Sequence, residues 1–152
     1  MPSHNIKQLK PSKTGRYKQG YVNPKSCKKV FESLRGEPII YRSSYELTFI
    51  NWLEKNPSVE GWGSECIKIP YYNIMTGEHH TYYPDYLVKM KNGEGIVVEI
   101  KPKDQTQRPK CNHGRVWNEW VKNLSKWKAA KKYCEDRGLK FKILTEETIG
   151  KM

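Results

Sequence analysis

The sequence predicts a mixed α/β domain in which a helix, three strands, a second helix and a last strand follow one another. Three observations carry this. An apolar stripe at helical spacing starts behind a serine cap at Ser43, alternating runs fill residues 67 to 101, and a longer helical stripe from Trp117 to Arg137 precedes one more alternating run. At 152 residues the chain suits one hydrophobic core and is short for two.

Residues 1–36 stand apart. They carry nine cations (Lys7, Lys10, Lys13, Arg16, Lys18, Lys25, Lys28, Lys29, Arg35) against one acid, Glu32, and so hold +8 of a net charge of +12. Pro11, Gly15, Gly20 and Pro24 interrupt them, and no apolar periodicity begins before Val30. The expectation is a weakly structured basic arm over 1–36 and a folded domain over 37–152. Such charge concentrates polyanions, of which nucleic acid is the commonest, and Lys7, Lys10, Lys13, Arg16, Lys18, Lys28 and Lys29 are candidate DNA-binding residues. Tyr17 and Tyr21 suit either base stacking or packing on the domain; a solvated tail without a partner is the bland alternative.

The elements follow in order. Ser43-x-x-Glu46 is a capping-box pattern, and Tyr45, Phe49, Ile50 and Leu53 form one apolar stripe that Asn56-Pro57 ends. A strand is expected from about Ile67 to Tyr72, with a turn at Thr76-Gly77. A second runs from His79 to Tyr83 and on toward Val88, and a third from Ile96 to Lys101, joined through Lys91-Asn92-Gly93-Glu94-Gly95. Residues 102–115 are polar, contain two prolines and read as a basic loop. Trp117, Trp120, Val121, Leu124, Trp127 and Ala130 then recur at helical spacing, and Gly138 is placed to terminate that helix. Leu139 to Leu144 alternates as a half-buried strand does, and Thr145-Glu146-Glu147 suits a short last turn.

Some classes are excluded early. No apolar run approaches the roughly 18–20 residues of a membrane span, and the first residues lead into no signal-peptide core. Cys27, Cys66, Cys111 and Cys134 show no CxxC spacing, so free thiols are expected. Cys111-x-His113 lacks the second close pair that a zinc site needs.

The chemistry concentrates at Asp85, Glu99 and Lys101. Side chains alternate along a strand, so Glu99 and Lys101 share one face while Val98 and Ile100 take the other, and Val97 marks a strand buried on both faces. Placing an acid and a lysine in so apolar a run costs several kcal/mol unless they are paired or bind a metal. Whether Asp85 joins them depends on hairpin parity. A two-residue Asn92-Gly93 turn would pair Asp85 with Ile100 and point it away. An odd-numbered loop or a bulge, which Gly93 and Gly95 permit, pairs it near Lys101 and brings all three together. An irregular hairpin is therefore expected. Two carboxylates suit Mg²⁺, for which Mn²⁺ can substitute, and Lys101 suits the attacking water or the phosphate. Glu46 has two readings, helix cap or additional carboxylate, and both can hold.

Pro84-Asp85 followed by Glu99-Ile100-Lys101, within this element order, resembles the PD-(D/E)xK nuclease superfamily. Ser44-Tyr45-Glu46 through Lys101 resembles its TnsA-like endonuclease branch, which also places a glutamate on the first helix; some of those relatives carry Gln where this chain has Glu99. Nearly the whole chain is similar to the head completion proteins of T-even-like tailed bacteriophages. The resemblance implies a restriction-endonuclease-like core and a Mg²⁺-dependent endo- or exodeoxyribonuclease acting on double-stranded DNA. It implies Asp85 and Glu99 as metal ligands, Lys101 as catalytic lysine and Glu46 as helix glutamate. It further implies action on packaged DNA ends in head completion and head–tail joining, the phage portal or other head-completion proteins as partners, and a place in the virion or in the host cytoplasm during assembly. No nucleotide cofactor is expected. A non-catalytic DNA-end or portal-binding structural protein on the same fold is the rival, which the intact Asp85, Glu99 and Lys101 disfavour.

Remaining residues divide by setting. Lys103, Arg108, Lys110 and Arg115 flank the end of the Glu99–Lys101 strand and are candidate DNA contacts. His79-His80 suits an ordinary strand position better than a general base, and His113 a phosphate contact better than a metal ligand. The Trp117, Trp120, Trp127 stripe reads as core. Lys126, Lys128, Lys131 and Lys132 form either a solvated face or a second phosphate groove.

Overall fold

The computed structural model describes residues 19–152, so the expectations for Lys7, Lys10, Lys13, Arg16, Tyr17 and Lys18 lie outside the described residues. Residues 19–36 depart from the weakly structured arm. Strand β1 (Gly20–Tyr21) pairs antiparallel with β2 (Ile40–Tyr41), and two short 3-10 turns lie between them. Cys27 and Val30 are buried in the core. Phe31 N–H donates to Trp62 O at 2.9 Å, and Trp62 N–H to Lys29 O at 3.1 Å. These apolar residues follow neither helical nor strand period, so pattern alone does not reveal their docking.

Helix α1 (Ser44–Lys55) starts where the serine allows it. Ser43 is extended and its Oγ accepts from Glu46 N–H at 3.2 Å, satisfying one orphan donor of the first turn. Phe49, Ile50 and Leu53 are buried, but Tyr45 is 38% exposed and leaves the expected stripe. Asn56 is extended ahead of Pro57, which ends the helix.

The main sheet has the order β3-β6-β7-β8, formed by Val59–Ser64, Tyr86–Met90, Gly95–Ile100 and Lys140–Leu144. Its first two pairings are antiparallel. The last, β7 with β8, is parallel and is bridged by helix α2 (Gly114–Arg137). Helix, three strands, helix, strand is thus the order of α1, β3, β6, β7, α2 and β8.

The identity of two strands differs from expectation. The first of the three is Val59–Ser64, whose glycines hide it from a propensity reading. Those glycines admit the N-terminal segment: a Cβ at Gly61 would meet Phe31 at 2.9 Å, and one at Gly63 would meet Leu34 at 2.6 Å. The run at 67–72 is instead β4 (Ile69–Asn73), which pairs only with β5 (Glu78–Tyr82) as a separate hairpin. The second expected strand, 79 to 88, is therefore two strands in two sheets. Tyr83-Pro84-Asp85 separates them, since Pro84 has no N–H to continue a ladder.

Both faces of the main sheet are covered. Val98, Val88 and Tyr86 pack with Phe49, Ile50 and Leu53 of α1, whereas Val97 packs with Ala130 and Cys134 of α2 and with Ile69, Tyr71 and Tyr82 of the β4–β5 hairpin. Helix α2 begins at Gly114, ahead of the expected boundary, so Arg115 sits in its first turn. It ends at Gly138, which has φ +67°, while Leu139 N–H donates to Cys134 O at 2.8 Å. A last turn, α3 (Glu146–Ile149), buries Ile149. All four cysteines are free thiols.

Candidate active site

The β6–β7 turn decides where Asp85 goes. Met90 N–H donates to Glu94 O at 2.8 Å and Gly93 N–H to Met90 O at 3.0 Å, leaving the three residues 91–93 as the loop. Gly93 has φ +95°, a conformation that a side chain would strain. The loop is odd-numbered, as expected. The register ends with Tyr86 opposite Val98, so Asp85, the residue before β6, comes next to the level of Glu99 rather than that of Lys101. Alternation puts Glu99 and Lys101 on the α2 face of the sheet, with Val97.

Short-range contacts hold the group. Asp85 Oδ2 accepts from Ile100 N–H at 2.7 Å. Lys101 Nζ lies 3.6 Å from Glu99 Oε1, while the Tyr82 hydroxyl donates to Glu99 Oε2. Lys101 N–H donates to Leu144 O at 2.9 Å, so β8 anchors the end of β7. The carboxylate of Glu46 arrives from the first turn of α1, and its Oε2 accepts from Arg42 N–H at 2.7 Å. Its cap is thus a variant of the expected box: the side chain reaches the residue before the N-cap. Glu46 caps the helix, and its charge is also felt at Asp85.

Burial dominates the electrostatics. It pushes Glu46 up to about 7, against the N–H and charge of Arg42. It holds Asp85 well above the usual carboxylate range, with the charges of Glu99 and Glu46 adding to the effect. Glu99 is also raised by burial, opposed chiefly by Lys101. The charges of Glu99 and Glu46 discourage ionisation of Asp85, and a cation beside it would relieve that cost.

The donor set can be tested against such a cation. The Tyr86 hydroxyl is the one buried side-chain polar atom without a hydrogen bond among the described residues, and it lies in the field of Glu46, Asp85 and Glu65. Carboxylate and phenol oxygens are hard donors that suit Mg²⁺ or Mn²⁺. No three carboxylate, imidazole or thiolate groups among the described residues converge closely enough to enclose a metal. An ion of the Mg²⁺ kind needs only one or two carboxylates and completes its shell with water and phosphate. Asp85 and Glu99 are the residues that could hold such an ion.

Two further residues belong here that sequence reasoning missed. Lys126 of α2 lies 5.4 Å from the Tyr82 ring centre and 5.9 Å from that of Tyr71. Burial lowers its pKa, Lys122 adds to this, and the charge of Glu99 opposes it. It is neither a solvated lysine nor part of a remote groove; its spacing of three from buried Asn123 was the available signal. Glu65 has φ +48° without being glycine, donates its N–H to Asp85 O at 3.0 Å and is ion-paired with Arg42.

Other candidates lie elsewhere or are engaged. Lys28 and Lys29 sit at the far end of α1, where Lys29 Nζ donates to Asn56 O; ten residues of helix put them about 15 Å from Glu46. Lys103 is tied to α3, its Nζ 2.7 Å from Glu147 and its N–H 2.9 Å from Glu146. Arg108 lies over the Trp117 ring at 5.3 Å. Lys110 is exposed, and Arg115 shares a cavity wall with Lys101. His79 and His80 are exposed against Tyr72 and Tyr71, and His113 is exposed at the start of α2. Of the tryptophan stripe only Trp127 is buried; Trp117 and Trp120 are half-buried.

A family model described as the TnsA-like endonuclease N-terminal domain matches residues 56–146, which run from the end of α1 to α3 and include Asp85, Glu99 and Lys101. The chain belongs to the TnsA-like endonuclease family. Like other members it is a PD-(D/E)xK nuclease, a group that uses divalent metal ions. Glu46 precedes the matched residues. The chain is also similar to the head completion nuclease of Enterobacteria phage T4, at 43% identity over 127 residues, covering 76% of this chain and 85% of that protein. No helix among the described residues is long and apolar enough to cross a membrane.

Proposed function

We propose that this nuclease is a Mg²⁺-dependent deoxyribonuclease, with Mn²⁺ able to substitute, that acts on packaged DNA ends during phage head completion. The observation that carries the chemistry is the register of β6 on β7, which ends with Tyr86 opposite Val98 and leaves Asp85 accepting from Ile100 N–H, between Glu99 and Lys101 in the chain. The similarity to the T4 head completion nuclease supports the biological step.

Asp85 and Glu99 would hold the ion, each oriented through one oxygen by a fixed donor, Ile100 N–H and the Tyr82 hydroxyl respectively. When bound, the ion offsets charge on the attacked phosphate and lowers the pKa of a bound water. Lys101, 3.6 Å from Glu99, orients the attacking water and balances charge developing on the phosphate. Glu46, with a pKa of about 7, is poised to take a proton near neutral pH. Arg108, Lys110 and Arg115 receive the double-stranded DNA backbone, and the basic residues before residue 19 add non-specific affinity. The portal or other head-completion proteins bring the enzyme to the DNA end, in the virion or in the host cytoplasm during assembly.

The test is cleavage of supercoiled and linear duplex DNA with Mg²⁺ or Mn²⁺ by wild type and by Asp85→Asn, which keeps an acceptor for Ile100 N–H. A loss of roughly 10³-fold or more is expected with the fold intact by circular dichroism. Equal activity in the two, or none in either, would falsify the proposal. Nicking of closed circles separates endo- from exonucleolytic action. Deleting residues 1–18 should weaken DNA binding and flatten its salt dependence; unchanged affinity and slope would turn the arm toward a protein partner.

A further inference from the structure

Beside Lys101 lies a cavity of about 480 Å³ between the loop after β7 and the first half of α2. It falls within the roughly 300–1,000 Å³ range of small-ligand pockets. Its charges cancel: Lys101 and Arg115 line it, and so do Asp104 and Glu119. A groove built for a phosphate backbone is cationic throughout, and this one is not. The rest of its wall has the chemistry of base recognition. Asn123 is only 7% exposed, lines the cavity, and its side-chain amide makes no hydrogen bond among the described residues. That amide is not sealed away from solvent, and it is open to a ligand presenting a donor and an acceptor. Trp120, half-buried on the same wall, is braced at 6.2 Å by an edge-to-face contact with buried Trp127.

We propose that this cavity takes one unstacked nucleobase of the substrate strand, next to the phosphate attacked at Asp85 and Glu99. The inference rests on the nuclease reading of that neighbouring site. An aromatic ring stacks on any base, and an asparagine amide offers the paired donor and acceptor that a base edge, adenine above all, can meet. Lys101 borders both places, so a strand with its phosphate at the carboxylates has its adjoining nucleotide at the cavity mouth. A base inside a duplex stack cannot enter. The enzyme therefore favours frayed, mismatched or single-stranded positions over uninterrupted duplex.

The test moves one abasic residue, position by position, along an oligonucleotide with a single defined cleavage site. With wild-type protein, kcat/KM should fall about tenfold at one position beside the scissile bond. Trp120→Leu and Asn123→Ala should lower kcat/KM on the intact strand by a similar factor and abolish the effect of the abasic residue. Trp120→Tyr keeps a stacking ring and should keep that effect, which separates lost recognition from a damaged fold. No sensitive position in wild type, or full sensitivity persisting in both Trp120→Leu and Asn123→Ala, overturns the inference. Kd values measured without metal keep the two readings apart. A base-dependent Kd lost in those two variants supports the cavity even if no cleavage occurs, whereas cleavage with no base dependence supports the nuclease alone.

Discussion

Helix α1 carries a glutamate toward each end, and their surroundings differ. Glu54 accepts from Lys28 N–H at 2.7 Å, from Lys29 N–H at 3.0 Å and from the Trp62 indole N–H at 2.7 Å. Glu46 accepts from Arg42 N–H alone among the described residues, is more deeply buried, and stands in the field of Glu99 and Glu65. A carboxylate supplied with donors ties the N-terminal segment to the helix and to β3. One left short of donors among other acids has capacity to hold an ion or a proton. On one helix and with one residue type, the contrast sets a carboxylate that holds the fold against one that we propose takes part in the reaction.

The strongest way to break that contrast is at the reacting end. Glu99→Gln should reduce cleavage by roughly 10³-fold while leaving thermal stability in chelator unchanged or higher, because a buried charge is removed. A variant that kept a tenth of the activity would remove Glu99 from the site. At the structural end the pattern should invert. Glu54→Ala leaves two backbone N–H groups and an indole N–H without their acceptor, and should cost about 2–3 kcal/mol in urea unfolding. Cleavage per folded molecule should stay at the wild-type level; a rate loss at unchanged stability would reverse the assignment.

The pH dependence of Glu46 sharpens the comparison. Its folded pKa of about 7 lies above the ordinary value of 4.5, so the folded protein binds this proton more tightly than the unfolded chain. The resulting stability is fully present below about pH 4.5 and is lost as pH rises through 7. In chelator, Glu46→Gln should therefore match wild type near pH 4 and exceed it by about 3 kcal/mol at pH 8. An equal difference at both pH values would contradict the assignment. The smallest effect is expected of Lys126→Met, about a tenfold loss of rate or less, since Lys101 supplies the nearer cation. A loss as large as that of Lys101→Met in the same assay would make Lys126 an equal partner.

Much of the frame was legible in local sequence. The Ser43 cap, the stop at Asn56-Pro57, the terminator Gly138 and the two-sided burial of Val97 and Val98 all depend on neighbours within a few residues. Val59–Ser64 was not legible, because its glycines are explained only by Phe31 and Leu34, some thirty residues earlier in the chain. The same holds for the segment 19–36, which reads as a charged arm until its scattered Cys27 and Val30 are seen in the core.

The site divides in the same way. Sequence alone determined that Glu99 and Lys101 share one face of a strand and that an odd loop would bring Asp85 to it, because strand alternation is a local rule. Tertiary structure decided that Asp85 accepts from Ile100 N–H, that Lys126 reaches the Tyr82 ring, and that Lys28 and Lys29 serve the distant end of α1. Those outcomes depend on which donors and cations long-range packing delivers to each carboxylate, and Lys28 lies 26 residues from the Glu54 it serves.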